Sequence, residues 1–259
     1  MNRELKITII QADLVWQDKQ ANFRRFEQKI GQIETSTDLI VLPEMFTTGF
    51  SMTPAAFAED MNGETIDWLT KQAETKQCAF MGSFIVKENG AFYNRLICMY
   101  PNGKYECYDK RHLFRMANEH HHYSPGNKRL VLDINGWRIC TMICYDLRFP
   151  VWSRNRTDYD VLVYIANWPQ SRSGQWKILA KARAIENQAF VVAVNRVGED
   201  GNNIRYAGDS LVINPKGEAI NHTPSQTESI ETLSLLMDDL QKFRYTFPFY
   251  LDADKFEIC

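Results

Sequence analysis

Long apolar runs are missing from this 259-residue chain. No stretch approaches the roughly 20 residues that span a bilayer, so no membrane-spanning segment is expected. An excess of one charge is missing too: 30 Lys and Arg stand against 32 Asp and Glu, a formal net charge of −2, and the basic residues are scattered. Without a basic stripe there is no footprint for nucleic acid or an anionic membrane surface, and a small molecule is the expected partner. Cysteine is sparse. The six residues Cys78, Cys98, Cys107, Cys140, Cys144 and Cys259 include no CxxC pair, which argues for free thiols and against a disulfide scaffold, a redox motif or a zinc site. Gly- or Ser-rich linkers and low-complexity tracts are absent, so residues 1–259 read as one domain. The beginning, Met1-Asn-Arg-Glu-Leu-Lys6, leads into a β-rich run rather than an apolar signal core, and a cytoplasmic protein is expected.

What is present is an alternation of strand and helix signals. Lys6 to Trp16 is rich in Ile and Val, Ala21 to Ile33 sets Phe23, Phe26, Ile30 and Ile33 at helical spacing, and Asp38 to Leu42 is a buried-strand run. Gly63 to Gln77 reads as a second helix with Ile66, Leu69 and Ala73 on one face. The runs Ala79 to Val86 and Ala91 to Tyr100 flank Asn89-Gly90, and Arg129 to Ile134 and Trp137 to Ile143 bracket Asn135-Gly136, both hairpin signals. A helix is expected to begin near Arg148 to Pro150. Asp160 to Ala166 and Phe190 to Val197 read as strands around a helix over Gly174 to Phe190. Arg205 to Ile213 and Ile230 to Leu236 are further strands, and Phe243 to Phe249 is an aromatic-rich tail.

At least ten strands, hairpins mixed with crossovers, and few helices fit two sheets packed face to face better than one open sheet. The expected architecture is α/β, a four-layer α-β-β-α sandwich. Lys6 to Leu42 and Trp137 to Ile165 share a strand-helix-strand layout, consistent either with duplication or with the ordinary likeness of buried strands.

Three residues end strand-like runs in positions suited to chemistry. Asp38-Leu-Ile-Val-Leu-Pro43 delivers Glu44, Tyr105-Glu-Cys-Tyr-Asp109 delivers Lys110, and Arg138-Ile-Cys-Thr-Met-Ile143 delivers Cys144. In α/β folds, loops at the carboxyl ends of strands converge on a crevice. A free thiol is only slightly ionised at neutral pH, so it needs a carboxylate to take its proton or a cation to hold the thiolate. Glu44 can do the first and Lys110 the second, while Lys110 and the Tyr145 N–H can receive charge developing on a carbonyl oxygen. Each residue has a plainer reading: Cys144 a small buried hydrophobe like Cys140, Glu44 a solvated turn residue, Lys110 part of a charged loop.

Leu42-Pro43-Glu44, Asp109-Lys110-Arg111-His112-Leu113-Phe114 and Ile143-Cys144-Tyr145-Asp146-Leu147-Arg148-Phe149-Pro150 together resemble the three signature blocks of the nitrilase superfamily of carbon–nitrogen hydrolases. Ser124-Pro125-Gly126, Asn167-Trp168-Pro169, Ala182-Arg183-Ala184-Ile185-Glu186-Asn187 and Gly208-Asp209-Ser210 look like its later segments, so the likeness covers nearly the whole chain. It implies the nitrilase-type sandwich, a homodimer or larger assembly, and a triad of Glu44 as general base, Lys110 as electrophilic support and Cys144 as the nucleophile of a thioester. It also implies that Glu119 supports the triad, although a loop charge reads equally well there. No cofactor or metal is expected; consecutive His120-His121-His122 cannot all face one ion in regular structure, and a solvated loop is expected.

Met45-Phe46-Thr47-Thr48-Gly49-Phe50 and Tyr145-Asp-Leu-Arg-Phe-Pro150 look most like bacterial omega-amidases, which implies hydrolysis of the terminal amide of 2-oxoglutaramate or 2-oxosuccinamate to the 2-oxo acid and ammonia. Such a substrate carries a carboxylate that a guanidinium can bind, with Arg148, Arg172 and Arg183 as candidates and a structural ion pair as the alternative for each. Tyr145, Trp168 and Phe114 are candidates for the pocket wall. Another amidase of the superfamily (an N-carbamoyl-amine hydrolase, a deaminated-glutathione amidase or a nitrilase) would keep the triad and change the pocket; a silent assembly module would keep only the fold. A redox thiol protein would need a resolving cysteine, and Cys140, on the same strand, pairs badly.

Overall fold

A period-two alternation along the strands assigns each side chain to one of two cores. In a computed structural model that describes residues 3–258, Leu39 and Val41 join one core while Ile40 and Leu42 join the other. Such two-faced burial is what near-continuous apolar strands require.

The elements run β1 (Glu4–Gln11), α1 (Lys19–Gly31), β2 (Leu39–Val41), α2 (Pro54–Phe57), α3 (Glu64–Lys76), β3 (Ala79–Glu88), β4 (Ala91–Met99), β5 (Tyr105–Asp109), α4 (Glu119–His122), β6 (Leu130–Ile134), β7 (Trp137–Ile143), α5 (Pro150–Ser153), β8 (Val161–Ala166), α6 (Ser173–Asn187), β9 (Phe190–Asn195), β10 (Val197–Glu199), β11 (Arg205–Ala207), β12 (Leu211–Ile213), β13 (Ser229–Leu236) and α7 (Met237–Thr246). One sheet has the order β13-β1-β2-β3-β4-β5 and the other β12-β9-β8-β7-β6. The centres of both are parallel, β1-β2-β3 and β7-β8-β9, with antiparallel strands outside. Leu5, Ile7 and Ile9 meet Ile139, Val161 and Val163 in the core between the sheets. Phe23, Phe26 and Ile30 of α1 with Trp68 and Leu69 of α3 cover the outer face of the first sheet, and Trp176, Ala180 and Ala184 of α6 cover the second. These are the four layers expected. No helix among the described residues is long and apolar enough to cross a membrane.

Local chemistry accounts for the boundaries. Asp18 caps α1 by accepting the Ala21 N–H at 2.9 Å. Asn89-Gly90 and Asn135-Gly136 all take positive φ, the backbone of the tight turn that suits a twisted hairpin. Three expectations need correction. Arg205 to Ile213 is two strands, because Gly208 and Asp209 turn left-handed between them. Phe190 to Val197 likewise divides at Arg196, whose buried guanidinium is held by Asp13. His120 to His122 form the one-turn helix α4 rather than a loop, closed by the Tyr123 N–H on the Glu119 carbonyl at 2.9 Å. Of the expected free thiols, Cys78, Cys98, Cys107, Cys140 and Cys144 are unbonded; Cys259 lies outside the described residues.

Asp160 anchors the C-terminal helix. Its carboxylate accepts from Arg138 and from Arg244 of α7, at 2.8 Å in each case. Burial pushes this carboxyl up, but the two guanidiniums outweigh it and hold it below its ordinary value. The depressed folded pKa means that the stabilisation is full above the unfolded value, about 3.9, and is lost as pH falls through the folded one. Asp160→Asn is expected to lower unfolding stability by about 2 kcal/mol at pH 7, because it removes the charged acceptor shared by Arg244 and the half-exposed Arg138, which keep only their backbone carbonyl partners. Chemical denaturation should show the difference from wild type shrinking below about pH 4.

Candidate active site

Glu44 follows β2, Lys110 follows β5, Cys144 follows β7 and Asn167 follows β8. The sandwich brings these strand ends together. Glu44 is fully buried. Its Oε1 accepts from Lys110 Nζ at 2.9 Å and Asn94 Nδ2 at 2.8 Å, and its Oε2 accepts from the Asn167 N–H at 2.8 Å. Lys110 Nζ also donates to Glu119 Oε1 at 3.0 Å and lies 4.9 Å from the centre of the Phe50 ring. Glu119, buried at the start of α4, spends its other oxygen on the Phe114 N–H at 2.5 Å. It is therefore not a loop charge.

The backbone around Lys110 is clamped on both sides. Its N–H donates to the Asn94 carbonyl at 3.0 Å, and its own carbonyl accepts from the Gly126 N–H at 2.9 Å. A β-carbon at Gly126 would stand 2.2 Å from the Asp109 carbonyl oxygen, so the Ser124-Pro125-Gly126 turn needs glycine for this close approach. Cys144 opens a 3-10 turn, Cys144–Arg148, with φ at +45°. A side chain other than glycine held there costs about 1–3 kcal/mol and marks a backbone that its surroundings impose. Cys140, four residues back on β7, lies wholly in the core, and burial lifts its thiol to about 11.

The electrostatics of the cluster follow from burial and charge. Burial pushes the Lys110 ammonium down, but Glu119 and Glu44 more than reverse this, so it is held above its ordinary value and stays charged. Burial raises the Glu119 carboxyl against the pull of Lys110. Cys144 is pushed well above an ordinary thiol, first by burial and then by the negative charge of Glu44, with Lys110 opposing. The thiol is thus protonated at neutral pH, beside a carboxylate and an ammonium.

A cavity of about 70 Å³ opens above this cluster. All five residues expected in the pocket line it (Phe114, Tyr145, Arg148, Trp168 and Arg172), together with Lys110 and Cys144. Phe114 and Tyr145 pack edge to face at 5.0 Å; Arg148 lies over Trp168 and Arg172 over Phe114. Arg183 is elsewhere, donating to the Leu147 carbonyl at 2.7 Å and pairing with Glu186 at 2.9 Å, so its structural reading holds. Sequence reasoning missed Phe50, Ile204 and Tyr206 in the wall, and Asn94 and Asn167 as partners of Glu44. The polar Asn94 within β4 and the family-like segment Asn167-Trp168-Pro169 were the available signals. A larger groove of about 510 Å³, beside Phe190, Lys216, Lys242 and Phe243, holds none of these groups.

An α-β-β-α sandwich with a thiol, an ammonium and a carboxylate at its strand ends, and a second carboxylate at the start of α4, defines a hydrolase of carbon–nitrogen bonds. The chain belongs to the carbon-nitrogen hydrolase family, whose pattern matches residues 6–245. It is 48% identical over 256 residues to the omega-amidase YafV of Escherichia coli, covering 98% of both chains. It is 32% identical over 254 residues to the 2-oxoglutaramate amidase of Bacillus subtilis, covering 96% and 97%. Among solved structures, a CN-hydrolase superfamily protein of Xanthomonas campestris with an arsenic adduct in its active site superposes with a TM-score of 0.97 at 41% identity, over 99% of this chain and all of that one.

Proposed function

We propose that the protein is an omega-amidase, hydrolysing the terminal amide of a 2-oxo dicarboxylate monoamide, 2-oxoglutaramate or 2-oxosuccinamate, to the 2-oxo acid and ammonia. The observation that carries this reading is one small cavity shared by the Cys144 thiol, the Lys110 ammonium and two guanidiniums, in a chain nearly half identical to a protein named omega-amidase. Its volume of about 70 Å³ is far below that of pockets for drug-sized ligands, about 300–1,000 Å³, and this favours a short substrate over a peptide-sized one.

In this reading Glu44 takes the thiol proton as Cys144 Sγ bonds to the amide carbon. Glu44 Oε1 already accepts two short hydrogen bonds, whereas Oε2 accepts one short bond from the Asn167 N–H and one long one, 3.5 Å, from Asn167 Nδ2, which leaves Oε2 the greater capacity for the proton. The ammonium has three donors, two of them engaged by Glu44 and Glu119; the third, with the Tyr145 N–H at the start of the 3-10 turn, receives the developing oxyanion. Collapse breaks the C–N bond, Glu44 returns the proton to the leaving ammonia, and a thioester remains. Water, deprotonated by Glu44, then releases the acid and restores the thiol. Glu119 holds Lys110 in place.

Arg148 and Arg172 take the substrate carboxylate. Arg95, Arg138, Arg183, Arg196 and Arg244 all pair with acidic side chains. Among the described residues Arg148 instead meets Gln175 and Trp168, and Arg172 meets Phe114, so both guanidiniums are available to an anion. The chain acts as one cytoplasmic domain and as a homodimer. Exposed Ile178 and Ile185, seven residues apart on α6, and Val151 on α5 supply an apolar face for a second copy.

The test is ammonia release from 2-oxoglutaramate, with glutamine and an aliphatic nitrile for comparison. Rapid turnover of the oxo-amide alone is expected. Arg172→Met and Arg148→Met should raise its KM by about 10- to 100-fold, the worth of a hydrogen bond to a charged group, while the slow background hydrolysis of a neutral amide is unchanged. No oxo-amide turnover by folded protein rejects the reading.

A further inference from the structure

Four donors converge on one buried carboxylate that the chemistry above does not use. Asp146 is fully buried two residues beyond Cys144. Its Oδ2 accepts the Ile143 N–H at 3.0 Å and the Tyr108 hydroxyl at 2.7 Å. Its Oδ1 accepts the His112 N–H at 2.9 Å and the His112 ring Nδ1–H at 2.8 Å, the tautomer that an acceptor-only partner requires. Ile143 directly precedes Cys144, whereas Tyr108 and His112 each stand two residues from Lys110. One side chain therefore ties the strand end carrying the thiol to the strand end carrying the ammonium.

The surroundings stiffen this link. The His112 ring stacks on Phe149 at 3.8 Å, and the Tyr108 oxygen accepts the indole N–H of Trp152 at 3.0 Å. Asp146 also closes the 3-10 turn, since its carbonyl accepts the Phe149 N–H at 3.0 Å. The left-handed Cys144 needs such an imposed frame.

We propose that Asp146 is the positioning residue that keeps the Cys144 thiol in register with the Lys110 ammonium, working through His112 and Tyr108. The inference rests on the reading that those two groups perform the chemistry. Asparagine is the discriminating replacement. Whichever way its amide is turned, the NH2 opposes a backbone N–H, of Ile143 or of His112, and a backbone donor cannot reverse as a hydroxyl can.

The experiment measures kcat and KM for 2-oxoglutaramate, the rate of Cys144 alkylation by iodoacetamide followed by peptide mass, and thermal midpoints, for Asp146→Asn, His112→Leu and His112→Asn. All rates are taken well below every midpoint. Asp146→Asn should lower kcat by about 30- to 100-fold, the scale of a misplacement of about 1 Å. KM should stay within about threefold of wild type, as expected when only transition-state contacts are lost. Alkylation of Cys144 should slow with kcat, because the thiolate loses its cation. His112→Leu should cost about tenfold in kcat, while His112→Asn, which keeps a donor for Oδ1, should stay within about threefold. A lowered midpoint with wild-type kcat and alkylation would reduce Asp146 to a stability role and overturn the proposal. If Asp146→Asn does not fold, the two His112 variants decide, and wild-type kcat in His112→Leu overturns it. Turnover persisting in Cys144→Ala would sink the catalytic reading itself; a dead Cys144→Ala beside fully active Asp146→Asn would sink only the positioning.

Discussion

Cys144→Ala is expected to remain folded and to lose at least about 10⁴-fold in the rate of ammonia release from 2-oxoglutaramate, the scale seen when the nucleophile of a catalytic triad is removed. The fold should tolerate the change for a local reason. The strain at Cys144 arises from its β-carbon at φ +45°, and alanine carries the same β-carbon, so no new strain enters. Only the sulfur is removed, from a position at the edge of the core with 9% of its surface exposed. The thermal midpoint should therefore move by a few degrees at most, the response of a domain of this size to about 1 kcal/mol. Parallel measurement of turnover and melting decides the matter. Activity within tenfold of wild type would remove the thiol from the mechanism, whatever the pocket around it suggests.

Glu44→Gln should produce two opposite movements. Turnover should fall by about 10²- to 10⁴-fold, the contribution of a positioned general base. The intrinsic readiness of the thiol to ionise should rise, because the negative charge of Glu44 is, after burial, the main influence that pushes Cys144 up. With that charge gone and Lys110 left beside it, the thiol pKa moves down, so iodoacetamide should alkylate Cys144 at lower pH in the variant than in wild type. A site that had merely loosened would lose the cation and the base together. Alkylation and turnover declining in step would thus make Glu44 a structural partner of Lys110 instead of the base.

Much of this site was legible because its members end strand-like runs and because the blocks around them resemble those of the nitrilase superfamily, without which the plainer reading of each residue stood. Glu44 and Cys144 each end an apolar strand run and Lys110 ends the mixed run Tyr105–Asp109, all where the chain must leave the sheet, and loops at such boundaries converge on a crevice. Cys140 could be set aside by the same logic, since it lies four residues back inside the pleat. Glu119 was half legible. The resemblance implied a role for it, but only the hydrogen bonds to Lys110 Nζ and the Phe114 N–H separate it from a loop charge. Asn94 and Asn167 stand 50 and 123 residues from the carboxylate that they hold, and no local pattern marks a hydrogen bond across such a distance. The break between β11 and β12 was missed because a Gly-Asp pair ends a strand only when both residues turn left-handed.

The sequence by itself determined the layer architecture, the strand ends that deliver the thiol, the ammonium and the Glu44 carboxylate, and the hairpins at Asn89-Gly90 and Asn135-Gly136. These are properties of side-chain period and backbone preference, which act within a few residues. Only the tertiary structure decided which arginines face the thiol, that Asp146 links the two halves of the site, and how burial sets the protonation of Lys110 and Cys144. Those outcomes depend on distances between separate strand ends and on the loss of water around them, and both come into being only when the two sheets close on each other.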